Sequence, residues 1–372
     1  MLTEILRIPS LPEDKWEHAS LPTRLSGLGI TQTKSVAGAA YVGSCMLTLD
    51  LVGDLLGRSD YMPDGVAELL ALHEEFAGVS HDLESLKERP HVQKVLSDEW
   101  HQAAFKKLKE RSSTRTQNLM LAGTMAHASD WLLAPPIPGL GLHMKSDSFR
   151  MALKFRLGLP IFDRPFSCPA QGREGGSCGV EMDVYGDHAI CCNHGTSRVF
   201  RHNNLRDILS HAAKAAGLSA VVVEKKNQIA GSKRKPGDIT TSRYSSTTEV
   251  FSSSAFDVTV AHPLQKKHIE VAMSEAGVVA QEAHDRKLQK SLQVCVEEGI
   301  QFVPLAWEST GGATESVHEV VRKWTNLEAA RGGYSPALIR QTLYSQISCC
   351  LQRHLGQAIL DRQDELPCAR AR

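Results

Sequence analysis

The sequence predicts a mixed α+β protein: a helical N-terminal region, a small Cys/His-rich module, an α/β segment and closing helices. Three observations carry this. Apolar residues recur at helical spacing from Thr33 to about His127 and again beyond residue 314. Cys168, Cys178, Cys191 and Cys192 crowd among histidines. Short β-branched runs then alternate with helical patterns between residues 203 and 310, the signature of an α/β layer.

Taken in order, residues 1–30 are rich in Pro and Gly and predict irregular structure. Helices follow, broken at Gly57 and at Met62-Pro63-Asp64-Gly65. Residues 98–129 are polar with sparse apolar positions, which predicts an exposed helix pair. Trp131 to Gly139 contains three prolines and reads as a linker. Ser146-Asp147-Ser148 then caps a short helix carrying Phe149, Leu153 and Leu157. A helix is expected from His202 to Gly217, with Leu205, Ile208, Leu209, Ala212 and Ala216 on its inner face. Strands are expected at Ala220–Glu224, Ala255–Val260 and Ile300–Ala306. A Ser/Thr-rich loop or loose hairpin fills 228–254, and a long helix fills 275–298. Helices at 314–330 and 336–361 close the chain. The expected divisions are therefore 1–130, 131–160, 161–202, 203–310 and 311–372. Ile339, Leu343, Ile347, Leu351, Leu355 and Ile359 form a stripe that serves either as core or as a helix-mediated self-association face.

Lys+Arg and Asp+Glu each number 42, so any nucleic-acid contact must come from local clusters rather than net charge. The nine cysteines do not form a disulfide framework, which predicts an intracellular location, nuclear or cytoplasmic. No signal peptide is expected, because acids come early and no apolar core follows. Ser35–Gly57 has the length of a membrane span. Asp50 and Asp54 inside it favour a buried helix instead, with no membrane partner.

Two constellations carry chemistry. Cys168, Cys178, His188, Cys191, Cys192 and His194 offer thiolate and imidazole ligands for structural Zn²⁺. The fourth ligand is open between Cys191, Cys192 and His194. Glu224, Asp238 and Asp257, followed by Lys287 and Lys290, suit phosphodiester chemistry: hard carboxylates hold Mg²⁺, and a lysine stabilises developing charge. Asp257 lies in an apolar strand, where a carboxylate is costly unless compensated. Lys225, Lys226, Lys233, Arg234 and Lys235 form a basic run between the acids, suited to phosphate contacts.

These residues occur in a telling order: Gly186-Asp187-His188-Ala189-Ile190-Cys191-Cys192, then Arg201-His202-Asn203-Asn204-Leu205, then Lys235-Pro236-Gly237-Asp238, then Asp257-Val258-Thr259-Val260, then Lys287 and Lys290. The order resembles the C-terminal region of non-LTR (LINE-type) retrotransposon proteins. Upstream, Trp16, Leu21-Pro22 and Gly27-Leu28-Gly29-Ile30 look like the segment following the polymerase, in its thumb. The resemblance implies a Cys/His zinc knuckle and a PD-(D/E)xK restriction-endonuclease-like domain. It implies that Asp238 and Asp257 bind catalytic Mg²⁺, that Lys287 or Lys290 replaces the usual lysine, and that Arg201 and His202 help hold DNA. Partners would be DNA and element RNA. The alternative is a non-catalytic, zinc-containing remnant that binds nucleic acid or protein. Three departures stand out. Gly237 splits the Pro-Asp pair, the Asp238–Asp257 interval is long with Ser/Thr-rich filler, and the cysteine spacing is loose. No aromatic-x-Asp-Asp turn occurs, so no reverse transcription is expected of this chain.

Overall fold

Helix and strand patterning divides the chain at Ser10 and Thr114: Ser10–Ser113 forms one unit, and Met1–Pro9 joins Thr114–Arg372 in the other. The computed structural model describes all residues except 59–60, 173–174, 227, 230–234, 243–250 and 365–372. The first thirty residues are not irregular. They hold α1 (Leu2–Leu6) and α2 (Glu13–Ser20), because the prolines stand outside the helices, Pro12 immediately before α2.

The smaller unit continues with α3 (Thr33–Leu56), α4 (Val66–Ala77), α5 (Leu83–Glu88) and α6 (Val92–Glu110). Val42, Met46 and Leu49 of α3 meet Val66 and Leu70 of α4, Leu86 of α5, and Val92 and Leu96 of α6. Gly43 allows close approach, since a Cβ there would lie 2.8 Å from that of Gln93. The expectation that α3 is a buried helix is corrected: a single stripe is covered, while Leu47, Leu51 and Leu55 are 85%, 63% and 77% exposed. Helix α3 is long and apolar enough to cross a membrane by length and composition. The exposed Asp50 and Asp54 interrupt its outward face.

In the larger unit, α7 (Thr114–Gly123) is mostly buried rather than part of an exposed pair. Small and polar residues serve as interior contacts there: Asn118 donates 2.6 Å to the Ile269 carbonyl. The expected linker instead begins with α8 (Asp130–Leu133), whose Trp131 is buried and whose backbone N–H meets Ser348 Oγ at 3.2 Å. Then come α9 (Ser146–Arg156), β1 (Phe166–Ser167), β2 (Glu181–Met182), α10 (Asp187–Cys191) and α11 (Ser197–Ala215). Helix α11 starts earlier than expected.

The main sheet is built from β3 (Val222–Val223), β4 (Ile239–Ser242), β5 (Ser253–Ala261) and, after α12 (Val278–Glu297), β6 (Ile300–Glu308). Strand order is β3-β4-β5-β6. The first two pairings are antiparallel, and β5 runs parallel to β6, from Ser253↔Ile300 to Ala261↔Glu308. A parallel pair needs a crossover, and α12 supplies it. Strand β4 falls within the segment expected to be a loop or loose hairpin, and it pairs antiparallel with β5. Helices α13 (Glu315–Gly332) and α14 (Pro336–Asp364) close the chain. The α+β class therefore holds.

Strand alternation assigns the two sheet faces. Phe256 and Val258 of β5 join Ile239, Leu305 and Trp307 in a core covered by Leu205 and Leu209 of α11, Val320 and Trp324 of α13, and Leu343, Ile347 and Leu351 of α14. Phe256 meets Trp324 edge-on, with centroids 5.1 Å apart. On the other face, Ala255 packs with Cys295 of α12, Ile300 and Phe302. The α14 stripe from Leu343 to Ile359 is buried in these cores, and Ile339 at its start is half-buried. The segments 203–310 and 311–372 share one core rather than forming separate bodies.

Gly237 has a structural reason. A Cβ there would stand 2.8 Å from the Phe256 carbonyl oxygen and 3.0 Å from its carbon. Both are backbone atoms of β5 and cannot swing aside. Gly237→Ala is expected to destabilise the chain by about 1–3 kcal/mol, as overpacking does; urea denaturation checks it, and an unchanged midpoint would refute the close-approach argument.

Candidate metal centre and acidic cleft

The knuckle segment brings four predicted ligands together. Cys168 directly follows β1, and Cys178 returns beside it because its N–H bonds the Ala170 carbonyl at 2.8 Å. His188 lies on α10, and Cys192 leaves that helix one turn later. Their ligand atoms all lie within 4.8 Å of one another. Cys168 Sγ–Cys192 Sγ is 3.9 Å, Cys192 Sγ–Cys178 Sγ is 3.7 Å, and Cys178 Sγ–His188 Nε2 is 3.3 Å. Zinc bonds of about 2.3 Å to sulfur and 2.0–2.1 Å to nitrogen, at tetrahedral angles, give separations of about 3.8 Å for S–S and 3.5 Å for S–N. The set fits a metal ion such as zinc, which would close this loop covalently.

The other two candidates are excluded from the set. Cys191 Sγ turns back to the Asp187 and His188 carbonyls, both at 3.6 Å, and burial pushes its thiol up to about 11. His194 contributes a backbone N–H to Cys192 rather than its imidazole. Burial alone would raise the Cys192 thiol, but hydrogen bonds from His188, His194 N–H and Cys178 bring it down to about 6. Burial raises Cys168 to about 11.

The module is bolted to helices. Ile190, Met182 and Cys192 pack with Phe155 of α9 and with Leu355 and Ile359 of α14. Asp187 receives a bidentate pair from Arg115 of α7, both bonds 2.7 Å.

At the sheet, alternation places Asp257 opposite the Phe256 face, on the side covered by α12. Lys287 of α12 therefore reaches it, with Nζ 2.5 Å from Asp257 Oδ2. Asp238 precedes β4, one position beyond the Ile239↔Phe256 pair. Its N–H bonds the Phe256 carbonyl at 2.8 Å. Asp238 Oδ2 accepts from Val258 N–H at 2.7 Å and lies 3.1 Å from His202 Nε2. The structure thus joins Asp238, Asp257, Lys287 and His202. Lys290 is exposed and pairs with no described carboxylate. Glu224 is held by Arg206 at 2.8 Å and Lys235 at 2.5 Å, and among the described residues it forms no three-ligand group with the other acids. Lys225 and Lys226 are exposed. Lys233 and Arg234 lie outside the described residues.

The two acids are electrostatically split. Burial raises Asp257, and Asp238 adds to this against the pull of Lys287. Asp238 ends lower than usual because hydrogen bonds from His202 and Val258 N–H, with the charge of Lys287, outweigh its burial. Glu224 is lowered, chiefly by Lys235.

A cleft of about 630 Å³ adjoins these residues, lined by Arg198, Lys267, Arg286 and Lys287 with His202 and Glu224. Sequence reasoning missed Arg198, Lys267 and Arg286, since scattered cations on separate elements give no local signal. Arg201 is not a surface contact. It is 5% exposed and donates to the Ile190 carbonyl at 3.3 Å. His262 of the cleft wall is pushed down to about 3 by burial and by Arg201 and Arg115, which keeps it neutral beside them.

Fold and site together define a mixed α+β protein with a Cys₃His cluster that could hold a metal ion such as zinc, beside an acid–lysine cleft. No family model matches the chain, and no curated protein matches it.

For the Cys₃His centre, Cys178→Ser should lose one equivalent of zinc relative to wild type in the purified, reduced chain, whereas Cys191→Ser and His194→Ala should keep the wild-type content; elemental analysis decides. Loss of zinc on removing His194 would reinstate it as a ligand.

The His202–Asp238 pair carries a pH signature. Its hydrogen bond to Asp238 raises His202 above 6.5. The stabilisation is therefore full below 6.5 and fades as pH rises through the folded value. His202 is a third exposed, so screening limits the effect. His202→Gln should cost about 1 kcal/mol or less near pH ~5.5 and close to nothing near pH ~9. Denaturation at both values measures it, and a pH-independent cost would remove the ion pair from the account.

Proposed function

We propose that this is a retrotransposon-derived nucleic-acid-binding protein whose sheet domain is a metal-dependent, PD-(D/E)xK-like DNA endonuclease that nicks one strand. The observation that carries this reading is the meeting of Asp238, Asp257 and Lys287 on one sheet face beside a cation-lined cleft. The donor set suits Mg²⁺: two hard carboxylates, one of them raised by burial beside a like charge that a divalent ion would relieve. Bound there, Mg²⁺ would acidify a water and neutralise charge on the phosphate.

The chain's own residues supply the rest. Asp238 is oriented by Val258 N–H and His202, both of which engage its Oδ2. Lys287 lies beside Asp257 and is placed to hold a non-bridging phosphate oxygen as charge develops. The usual lysine position, two residues after the second acid, is Thr259. Thr259 shares the Asp257 face by alternation, and that face is covered by α12, which is why a helix lysine can substitute. Arg198, Lys267 and Arg286 suit backbone phosphates flanking the scissile one.

Supercoiled plasmid with Mg²⁺ tests the reading. Wild type should nick, Asp257→Ala and Lys287→Ala should lose about 10²-fold or more, and Lys290→Ala should stay within about twofold. Equal nicking by wild type and Asp257→Ala would sink the nuclease assignment. DNA binding without nicking by wild type would favour the non-catalytic alternative.

A further inference from the structure

The smaller unit holds a second convergence of ligand atoms. His73 on α4, His81 in the segment between α4 and α5, and Glu99 on α6 place their donor atoms within 4.8 Å of one another. His73 Nε2 is 3.0 Å from Glu99 Oε2, and His81 Nε2 is 2.7 Å from the same oxygen. The two imidazoles are nearly desolvated, 8% and 7% exposed, while Glu99 is 24% exposed.

We propose that His73, His81 and Glu99 bind a divalent transition-metal ion of the zinc class, in an open site with a solvent-facing fourth position. The convergence argues for an ion. A carboxylate has two oxygens, and two separate imidazole donors would be free to take one each. Here both Nε2 atoms lie within 3.0 Å of one oxygen, so three donor atoms crowd around the volume of a single ion. Bonds of about 2.0–2.2 Å to imidazole nitrogen and carboxylate oxygen put N and O about 2.9–3.4 Å apart for bond angles from 90° to tetrahedral. The observed 3.0 and 2.7 Å need only small adjustment. Two imidazoles and one carboxylate match the preferences of zinc-class ions rather than Mg²⁺ or Ca²⁺.

The ligands are also held in place. Helices fix His73 and Glu99. Asp82, next to His81, caps α5 by accepting from Ser85 N–H at 2.9 Å, which fixes the His81 segment. The His73 and His81 rings lie 5.7 Å apart, tilted by 44°, and His73 leans on Trp100, itself stacked on Phe76 at 3.8 Å. An ion here would tie three segments of the helical unit. Unlike the Cys₃His centre, whose ligand count is complete, it would keep a position for water.

The test uses the full, tag-free chain with Zn²⁺ and Co²⁺ as probes. Wild type should bind two equivalents of Zn²⁺, and His81→Gln and Glu99→Gln should each bind one. With Co²⁺, the knuckle should give a near-ultraviolet thiolate charge-transfer band. The second equivalent should add visible ligand-field absorption without adding to that band, and His81→Gln should lose only this second component. Circular dichroism of each metal-free variant should match metal-free wild type, which separates ligand loss from unfolding. One equivalent in wild type, or two in both variants, would overturn the proposal and leave a hydrogen-bonded His–Glu–His clip.

Discussion

Strand β5 must satisfy opposite demands on its two faces. Phe256 and Val258 are fully buried under α11, α13 and α14, while Asp257, between them in sequence, presents a carboxylate to the other side. A single-residue slip would drive the carboxylate into the Trp324 layer and lift Phe256 out of it. Register is therefore strongly set, and the neighbouring features follow from it. Parallel pairing with β6 requires a crossover, the crossover is α12, and α12 is the element that brings Lys287 over Asp257. Close approach of the turn before β4 demands Gly237, and that turn delivers Asp238 to the same face.

The knuckle depends on the same framework through α14. Leu343, Ile347 and Leu351 cover the sheet, and Leu355 and Ile359, further along the same helix, cover the Cys₃His segment. One long helix thus spans both hydrophobic cores. Buried cations sit at these junctions. Arg362 of α14 is 1% exposed and donates to the His194 carbonyl at 3.3 Å. Burial lowers Arg201 to about 10, yet a guanidinium there remains charged at neutral pH. Such groups are costly to desolvate, so their carbonyl partners and the neutrality of His262 matter to whether the cleft wall holds its shape.

Much of this was legible in the sequence, for physical reasons that differ by element. Leu205, Leu209 and Ala216 follow helical spacing, so α11 could be read, although its first turn carries Arg198 and an exposed Val199-Phe200 pair that does not continue the stripe. Strand β4 was legible only as part of a loose hairpin because Ile239-Thr240-Thr241-Ser242 reads as polar; Thr240 is buried between both neighbouring strands and Thr241 beside β5. The ligand set was legible as residue types. The choice of Cys192 over Cys191 was not, since it depends on where α10 ends and how Cys191 turns back on its own helix. Lys287 and Lys290 stand one turn apart, and only the crossing of α12 over β5 separates them. The His73–His81–Glu99 group spans a helix, a connecting segment and another helix, a spacing that resembles no motif.

The electrostatics of the cleft bear on what it can do. Two carboxylates on one face repel, and the protein resolves this by giving them unequal surroundings. Asp238 has a backbone N–H and an imidazole, and it stays ionised below the usual carboxylate range. Asp257 has burial against its ionised form and Lys287 for it, and burial leaves its carboxyl above the usual carboxylate range. Lys287 therefore serves both acids: it pairs directly with Asp257 and lowers Asp238 through space. Removing that lysine would raise both carboxyls together, and removing His202 would do so too, chiefly at Asp238, which it hydrogen-bonds. The helix lysine, supplied by the crossover that β5 and β6 require, thus acts on both acids together with His202.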